Sequence, residues 1–117
     1  DLVYNKGTWN SGSSTYTFGG EVVIDSSGNV GQWCDLELVG TDLYVSYINS
    51  PMVGTFYGIK YAYYDTAKSD WEYGVAALQN FVENKRTSIV NTSNTSWKVA
   101  IGFASDYYRA AYLRSEE

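Results

Sequence analysis

Two pairs of carboxylates have a spacing compatible with glycoside hydrolysis, which needs an acid and a base or nucleophile a few ångströms apart. Asp35 and Glu37 lie two residues apart in one predicted strand and therefore share a face, and Asp70 and Glu72 do the same around Trp71. Alternating charge on the solvent face of an antiparallel sheet produces such pairs without any function. We therefore expect no enzymatic activity and assign no catalytic residue.

Metal and nucleophile chemistry is limited by composition, because the 117 residues include no His and a single Cys. Zinc sites and Cys-His or Ser-His-Asp arrangements are excluded within this chain, and so is an internal disulfide. Cys34 stands at the start of a predicted strand, and we expect a buried structural thiol. The segment 25–29 carries oxygen ligands suitable for calcium, but its spacing does not match an EF-hand. We interpret it as a hairpin turn in which Gly28 and Asn29 tolerate positive φ, and we expect neither a metal nor a cofactor.

The overall charge and the aromatic content narrow the class of partner. The formal net charge is −5 with only 8 Lys and Arg, which argues against nucleic acid as a partner. No apolar run approaches the roughly 18 to 20 residues that a membrane span requires. Aromatic residues make up 17%, including 12 Tyr and 4 Trp, and Ser, Thr, Gly and Asn fill the intervals. This composition indicates a turn-rich all-β protein that is secreted, periplasmic or at the cell surface.

Predicted strands recur in the same order along the chain. The first series comprises 34–38, 43–47 and 59–63, and the second comprises 86–90, 97–101 and 108–112. The third segments of the two series, 59–63 and 108–112, match most clearly. Each has a basic residue, Lys60 or Arg109, followed three positions later by a Tyr. The segment 75–83 has apolar spacing compatible with a short helix, but the strand-like residues before it favour a strand. The implied repeat is about 50 to 60 residues, a period typical of propeller blades.

These repeats predict antiparallel β-propeller-like blades, approximately 1–33 (partial), 34–83 and 84–117 (partial). In blade numbering, the chain runs through strands three and four, then one through four, then one through three. About two blades cannot close a ring, so we expect either part of a larger propeller or an oligomeric ring of several copies.

Three segments carry a family resemblance: 24–36, with its acidic-Ser-Ser-Gly-Asn turn, the "LYVSY" strand at 43–47, and "KYAYYD" at 60–65. They resemble the blades of bacterial extracytoplasmic β-propellers, the sialidase-like and BNR-like group, over most of residues 20 to 114. The resemblance implies the propeller architecture. The Asp-box of sialidase-type blades is not matched, because Asp25, Gly28 and Trp33 are spaced differently. We therefore do not expect sialidase activity.

The loops on one face of such blades contain aromatic residues with polar neighbours. The candidate ligand-binding residues are Trp33, Phe56, Tyr57, Asp106, Tyr107 and Asn29. Aromatic rings beside Asn and Asp suit sugars, and they equally suit protein contacts or packing on a neighbouring blade. We predict a non-enzymatic binding or structural module of an extracytoplasmic or cell-surface assembly, whose aromatic loop faces contact a protein partner or another copy. The alternatives are a carbohydrate-binding propeller lectin and a fragment of a glycoside-processing propeller enzyme.

Overall fold

The computed structural model of the protein describes residues 1–53, 56–79, 87–93, 98–104 and 110–114. Within these ranges every regular element is a β-strand, and no helix is present that is long and apolar enough to cross a membrane. The strands are β1 (Leu2–Asn10), β2 (Thr15–Asp25), β3 (Gln32–Val39), β4 (Asp42–Val53), β5 (Phe56–Asp65), β6 (Asp70–Gln79), β7 (Thr87–Asn91), β8 (Val99–Ala104) and β9 (Ala110–Arg114). The predicted all-β fold is confirmed.

The strands form three separate antiparallel sheets, in each of which neighbours along the chain pair with one another. Strands β1 and β2 make a two-stranded ribbon, β3 to β6 make a four-stranded central sheet, and β7 to β9 make a three-stranded third sheet. Antiparallel pairing of consecutive strands follows from the short connections, which leave no room for a crossover. Among the described strands the sheets do not close into a ring, so the propeller stays a prediction.

The recurring segments of the sequence lie in strands. The first series falls in β3, β4 and β5, and the described parts of the second series fall in β7, β8 and β9, except Lys98, which directly precedes β8. Residues 86, 97, 108 and 109 of the second series lie outside the described ranges. The segment with alternative helical spacing belongs to β6 as far as Gln79, and its remainder, 80–83, is also outside them.

One face of the central sheet packs on the third sheet. Because side chains alternate between the two faces of a strand, Tyr44 and Ile48 of β4 lie on the same face as Ile59 of β5. The buried cluster comprises Tyr44, Ile48, Ile59, Ile89, Val99 and Ile101. Both sheets contribute β-branched residues to this layer. In β7 and β8, the alternate apolar residues Ile89, Val99 and Ile101 face the central sheet.

The opposite face of the central sheet packs on the base of the ribbon. Its buried cluster comprises Leu2, Ile24, Val30, Val45, Tyr47 and Ala62, with Tyr4 and Trp71 packed against it. This covering is partial. Leu36 and Leu38 on the edge strand β3 remain about half exposed, as does Tyr73 on the other edge strand. The central sheet is thus buried on both faces in its middle strands and only in part at its edges.

The expectation that Cys34 is buried was wrong, because its thiol side chain is exposed. Between the pairs Gln32 with Ile48 and Asp35 with Ser46, β3 has one residue more than β4, which makes a β-bulge. Trp33 in this bulge has a φ of 52°, in the left-handed region. The prediction rested on how often free Cys is buried, whereas Cys34 lies in an irregular part of an edge strand and its side chain is exposed.

We predict that Ile59→Ala lowers the free energy of unfolding by about 2 to 5 kcal/mol, since Ile59 is 0% exposed and its removal leaves a cavity between two sheets. Urea unfolding followed by tryptophan fluorescence measures the change. Val90→Ala is the matched control because Val90 is 56% exposed, and we expect a change within about 0.5 kcal/mol. Equal effects of the two substitutions would contradict the packing described above.

Candidate binding surface

Four of the six residues predicted to bind a ligand lie, by backbone position, at the end of the central sheet where β3 begins, β4 ends and β5 begins. Asn29 lies in the loop 26–31 that leads into β3, and Trp33 is exposed in the β3 bulge. Phe56 and Tyr57 open β5 at the same end, but their side chains lie outside the described part of the chain.

Asp106 and Tyr107 also lie outside the described residues. By backbone position, the other four predicted residues therefore share one end of the central sheet.

The ribbon carries an exposed apolar surface that the sequence interpretation did not identify. We define the outward face as Val3, Trp9, Tyr16, Phe18 and Val23, which lie on the side of the ribbon away from the central sheet. Trp9 pairs directly with Tyr16, and Val3 pairs with Val23. Trp9, Tyr16 and Phe18 are 53%, 61% and 63% exposed. Trp9, Tyr16 and Phe18 form an exposed aromatic cluster, which Asn5 and Glu21 separate from Val3 and Val23 on the same face. Clustered exposed aromatic side chains mark candidate interaction sites.

The three aromatic rings of the outward face contact one another in a row. The ring centroids of Trp9 and Tyr16 are 5.0 Å apart with their planes at 62°, and those of Tyr16 and Phe18 are 6.4 Å apart at 37°. Phe18 lies over Gly7, where an added Cβ would be 3.0 Å from the Phe18 ring. Gly7 therefore lets the ring lie flat on the strand, an arrangement known to support glycine in sheets.

A polar turn closes the ribbon at residues 11–14. The Asn10 side chain accepts a hydrogen bond from the Gly12 amide at 3.0 Å, and the hydroxyls of Ser13 and Thr15 are 2.7 Å apart. Ser14 has a φ of 54°, in the left-handed region. These hydrogen bonds stabilise the short turn, and the turn sets the register of β1 and β2 that pairs Trp9 with Tyr16.

The base of the ribbon is joined to the central sheet by a buried polar network around Asp25, the last residue of β2. Lys60 of β5 makes a salt bridge with the Asp25 carboxylate, and both side chains are buried. The Tyr47 hydroxyl donates to the same carboxylate at 2.7 Å, and the Ser27 amide donates at 2.8 Å. The Lys60 ammonium also donates to the Ser27 hydroxyl at 2.9 Å and lies 4.8 Å from the ring centroid of Tyr73.

The network shifts the pKa values of two titratable groups, Asp25 and Tyr47. Burial alone would raise the pKa of the Asp25 carboxyl, but the hydrogen bonds from Lys60, Ser27 and Tyr47 outweigh it and lower the pKa from 3.8 to about 2. Burial, together with the hydrogen bond to Asp25 and its negative charge, raises the pKa of Tyr47 above its ordinary value. Asp25 is therefore a permanent anion and Tyr47 a permanent donor at neutral pH.

The segment 25–29 is a turn, as predicted, but it links two sheets and not two strands of a hairpin, and of Gly28 and Asn29 only Gly28 has a positive φ. The Asp25 carboxylate is occupied by Lys60 and Tyr47 and by Ser27 of the turn itself. Gly28 has a φ of 96°, and its amide donates to the Ser26 carbonyl at 2.9 Å. Gly31 allows the chain to pass beside β1, because an added Cβ there would lie 2.9 Å from the Asp1 carbonyl oxygen.

A second polar junction joins the central sheet to the third sheet. The Ser46 hydroxyl donates to the Thr87 hydroxyl at 2.8 Å, which in turn donates to the Trp33 carbonyl at 2.8 Å. Asp35 accepts the Ile89 amide at 2.9 Å. Hydrogen bonds to the Trp33 carbonyl and the Asp35 carboxylate thus join β3 to β7.

Three of the four carboxylates considered for catalysis, Asp35, Asp70 and Glu72, have structural partners. Asp35 binds the Ile89 amide of the third sheet, as described above. Asp70 accepts the Trp71 amide at 2.8 Å, and Glu72 accepts Lys68 at 2.8 Å. These contacts favour turn and sheet roles for the carboxylates.

Only part of this surface had a signal in the sequence. Residues 15–18 alternate Thr, Tyr, Thr and Phe, and the Asn-Ser-Gly-Ser-Ser run before them is typical of a turn. These two patterns together could have predicted a hairpin with aromatic residues on one face. The pairing of Asp25 with Lys60, 35 residues apart, had no local signal.

Comparisons of the chain with protein-family models, with curated proteins and with solved structures found no match.

We predict that the chain loses stability between pH 4 and pH 2 through Asp25. Its ionised form is favoured in the folded chain, so the stabilisation is complete above about pH 4 and is lost as the pH falls through the folded pKa of about 2. The shift from 3.8 corresponds to about 2 kcal/mol. Urea unfolding at a series of pH values measures it.

The control is Asp25→Asn, which cannot titrate at this position. We expect it to be less stable at neutral pH, because Lys60 is left buried without a counter-charge. Its further loss between pH 4 and pH 2 is expected to be smaller than that of the parent by about 2 kcal/mol. Parallel pH profiles for the two proteins would show that Asp25 does not have the lowered pKa.

Proposed function

We propose that this chain is a non-enzymatic binding module that contacts a protein partner through the outward face of the ribbon. The observation that carries the proposal is the exposed apolar side chains on that face, above all the contacting rings of Trp9, Tyr16 and Phe18 near the tip of the ribbon. Tyr and Trp are enriched where proteins bind one another, since they bury a large area at a low cost in side-chain entropy.

The surroundings of the row support a binding surface. The turn and flanking positions are Asn, Ser, Gly and Thr, which offer hydrogen bonds without carrying charge. This combination of aromatic anchors and small polar residues is typical of protein-binding loops. The buried Asp25 network holds the base of the ribbon in place, so the outward face is presented by an anchored element.

The ring geometry favours a protein over a sugar. Planes inclined at 62° and 37° do not form one flat platform on which successive sugar rings would stack. An irregular row of rings fits side chains that interdigitate with it. A carbohydrate-binding lectin is therefore the second candidate, supported by the exposure of each individual ring.

The wider setting of the module also belongs to the proposal. We place it in an extracytoplasmic or cell-surface assembly, as its aromatic and small polar composition suggests. The face-to-face packing of the central sheet on both neighbours is compatible with successive propeller-like blades. In that arrangement, the outward face of the ribbon is where a further sheet, from a partner or from another copy, would pack.

We predict that Trp9→Thr, Tyr16→Thr and Phe18→Thr together weaken protein binding while preserving the fold, because all three side chains are exposed. A displayed peptide library is panned against the parent protein, and the dissociation constants of selected peptides are measured by biolayer interferometry. We expect at least about tenfold weaker binding to the variant, equivalent to about 1.4 kcal/mol.

The matched control replaces three exposed apolar residues outside the ribbon, Leu36→Thr, Leu38→Thr and Val90→Thr. It keeps the number of apolar residues removed equal, and we expect parental affinities. Equal losses in both variants would indicate non-specific apolar binding and would overturn the proposal. A glycan-array signal that disappears only with the outward-face variant would favour the lectin.

A further inference from the structure

The outer edge of β1 is a regular strand edge without a described partner. Two register irregularities interrupt the pairing of β1 with β2, and both add the extra residue to β2. One is at Ile24 and the other is at Gly19–Gly20, where Gly20 has a φ of 101°. Bulges bend a strand and disturb its hydrogen-bonding edge. The two bulges therefore interrupt the outer edge of β2, whereas β1 contributes no extra residue that would interrupt its own outer edge.

Most of this edge is accessible. Asp1 and Leu2 lie against Gly31, but from Val3 to Asn10 no strand of the described residues pairs with it. Such an edge presents unpaired amide and carbonyl groups, to which an extended segment can add by backbone hydrogen bonds. Within the described residues the ribbon has two strands, fewer than a sheet usually needs for independent stability. A third strand would supply both hydrogen bonds and packing.

The side chains along the edge restrict which strand fits. Val3, Gly7 and Trp9 lie on the outward side, so a partner strand with apolar residues on that side would extend the outward face. On the other side Lys6 is exposed at the middle of β1. A carboxylate directly opposite an amine stabilises cross-strand pairing, and a like charge destabilises it.

Lys6 also argues against a second copy as the occupant. In the twofold register that pairs the whole of β1 with another β1, Lys6 would lie directly opposite Lys6. Lysine in the middle of an edge strand is a known means of preventing self-pairing.

We infer that the edge of β1 binds an extended strand of a partner protein, with apolar residues on the outward side and an Asp or Glu opposite Lys6. The inference rests on the proposed function, since it names how the protein partner binds. The affinity comes from the backbone pairing and the added apolar contacts, and the choice among partners comes from the charge at Lys6.

Two synthetic peptides test the inference directly. The probes are Ser-Val-Thr-Val-Glu-Val-Thr-Val-Ser and the same peptide with Lys in place of Glu, both capped at their termini. Each reads the same in both directions, so the central charge meets Lys6 whether the added strand is parallel or antiparallel. Binding to the ¹⁵N-labelled protein is followed by NMR at low ionic strength, because salt screens exposed charges.

We expect the Glu probe to bind the parent protein about threefold to tenfold more tightly than the Lys probe, with the largest shifts in the amides of β1. Lys6→Glu should reverse this preference. Lys68→Glu is the matched control: Lys68 is exposed in the turn before β6 and far along the chain from the ribbon, and the parental preference should persist.

Three outcomes overturn the inference: no binding of either probe, shifts confined to residues outside β1, or an unchanged preference in Lys6→Glu. If library peptides still depend on the outward face in any of these cases, edge pairing fails and the protein-binding function stands. If the dependence on the outward face is also absent, both proposals fail.

Discussion

The buried pair of Asp25 and Lys60 constrains how the ribbon meets the central sheet. Neither charge is exposed, and Tyr47 and Ser27 supply the remaining hydrogen bonds of the carboxylate. A buried ion pair adds little net stability over a well-packed apolar alternative, but removal of one partner costs about 3 to 5 kcal/mol. The pair therefore disfavours every position of the ribbon in which the two charges do not meet. It defines which face of the ribbon packs inward, and hence which face remains outward.

The remaining architecture follows from the burial of both faces of the central sheet. Ile48 and Ile59 pack toward the third sheet, while Val45 and Ala62 pack toward the ribbon base. A strand buried on both faces loses the polar alternation of a half-exposed strand, as β4 does. The tip of the ribbon takes no part in these layers, so its aromatic residues contribute to a surface and not to a core.

Local sequence patterns predicted the strands well, because β-branched and aromatic alternation is a property of each strand alone. The strands at 43–47 and 59–63 are examples. Which side chains of a strand are buried depends on sheets that are distant in the sequence. The predictions of buried and exposed residues were therefore incomplete. Cys34 was wrongly expected to be buried, because that prediction rested on how often free Cys is buried and took no account of a bulge in an edge strand. The outward face was missed because the position of the ribbon depends on Asp25 and Lys60, which are remote in sequence.

The measurement that tests this description most directly is residue-resolved amide hydrogen exchange of the chain by NMR. An anchored base and a projecting tip predict that the paired amides of 2–4 and 22–25 exchange as slowly as those of β4 and β5. The paired amides of 7–10 and 15–18 are expected to exchange much faster, since no described sheet covers them. Equal protection along the whole ribbon, or fast exchange at its base, would contradict an outward face that is held by the Asp25 network and free to bind.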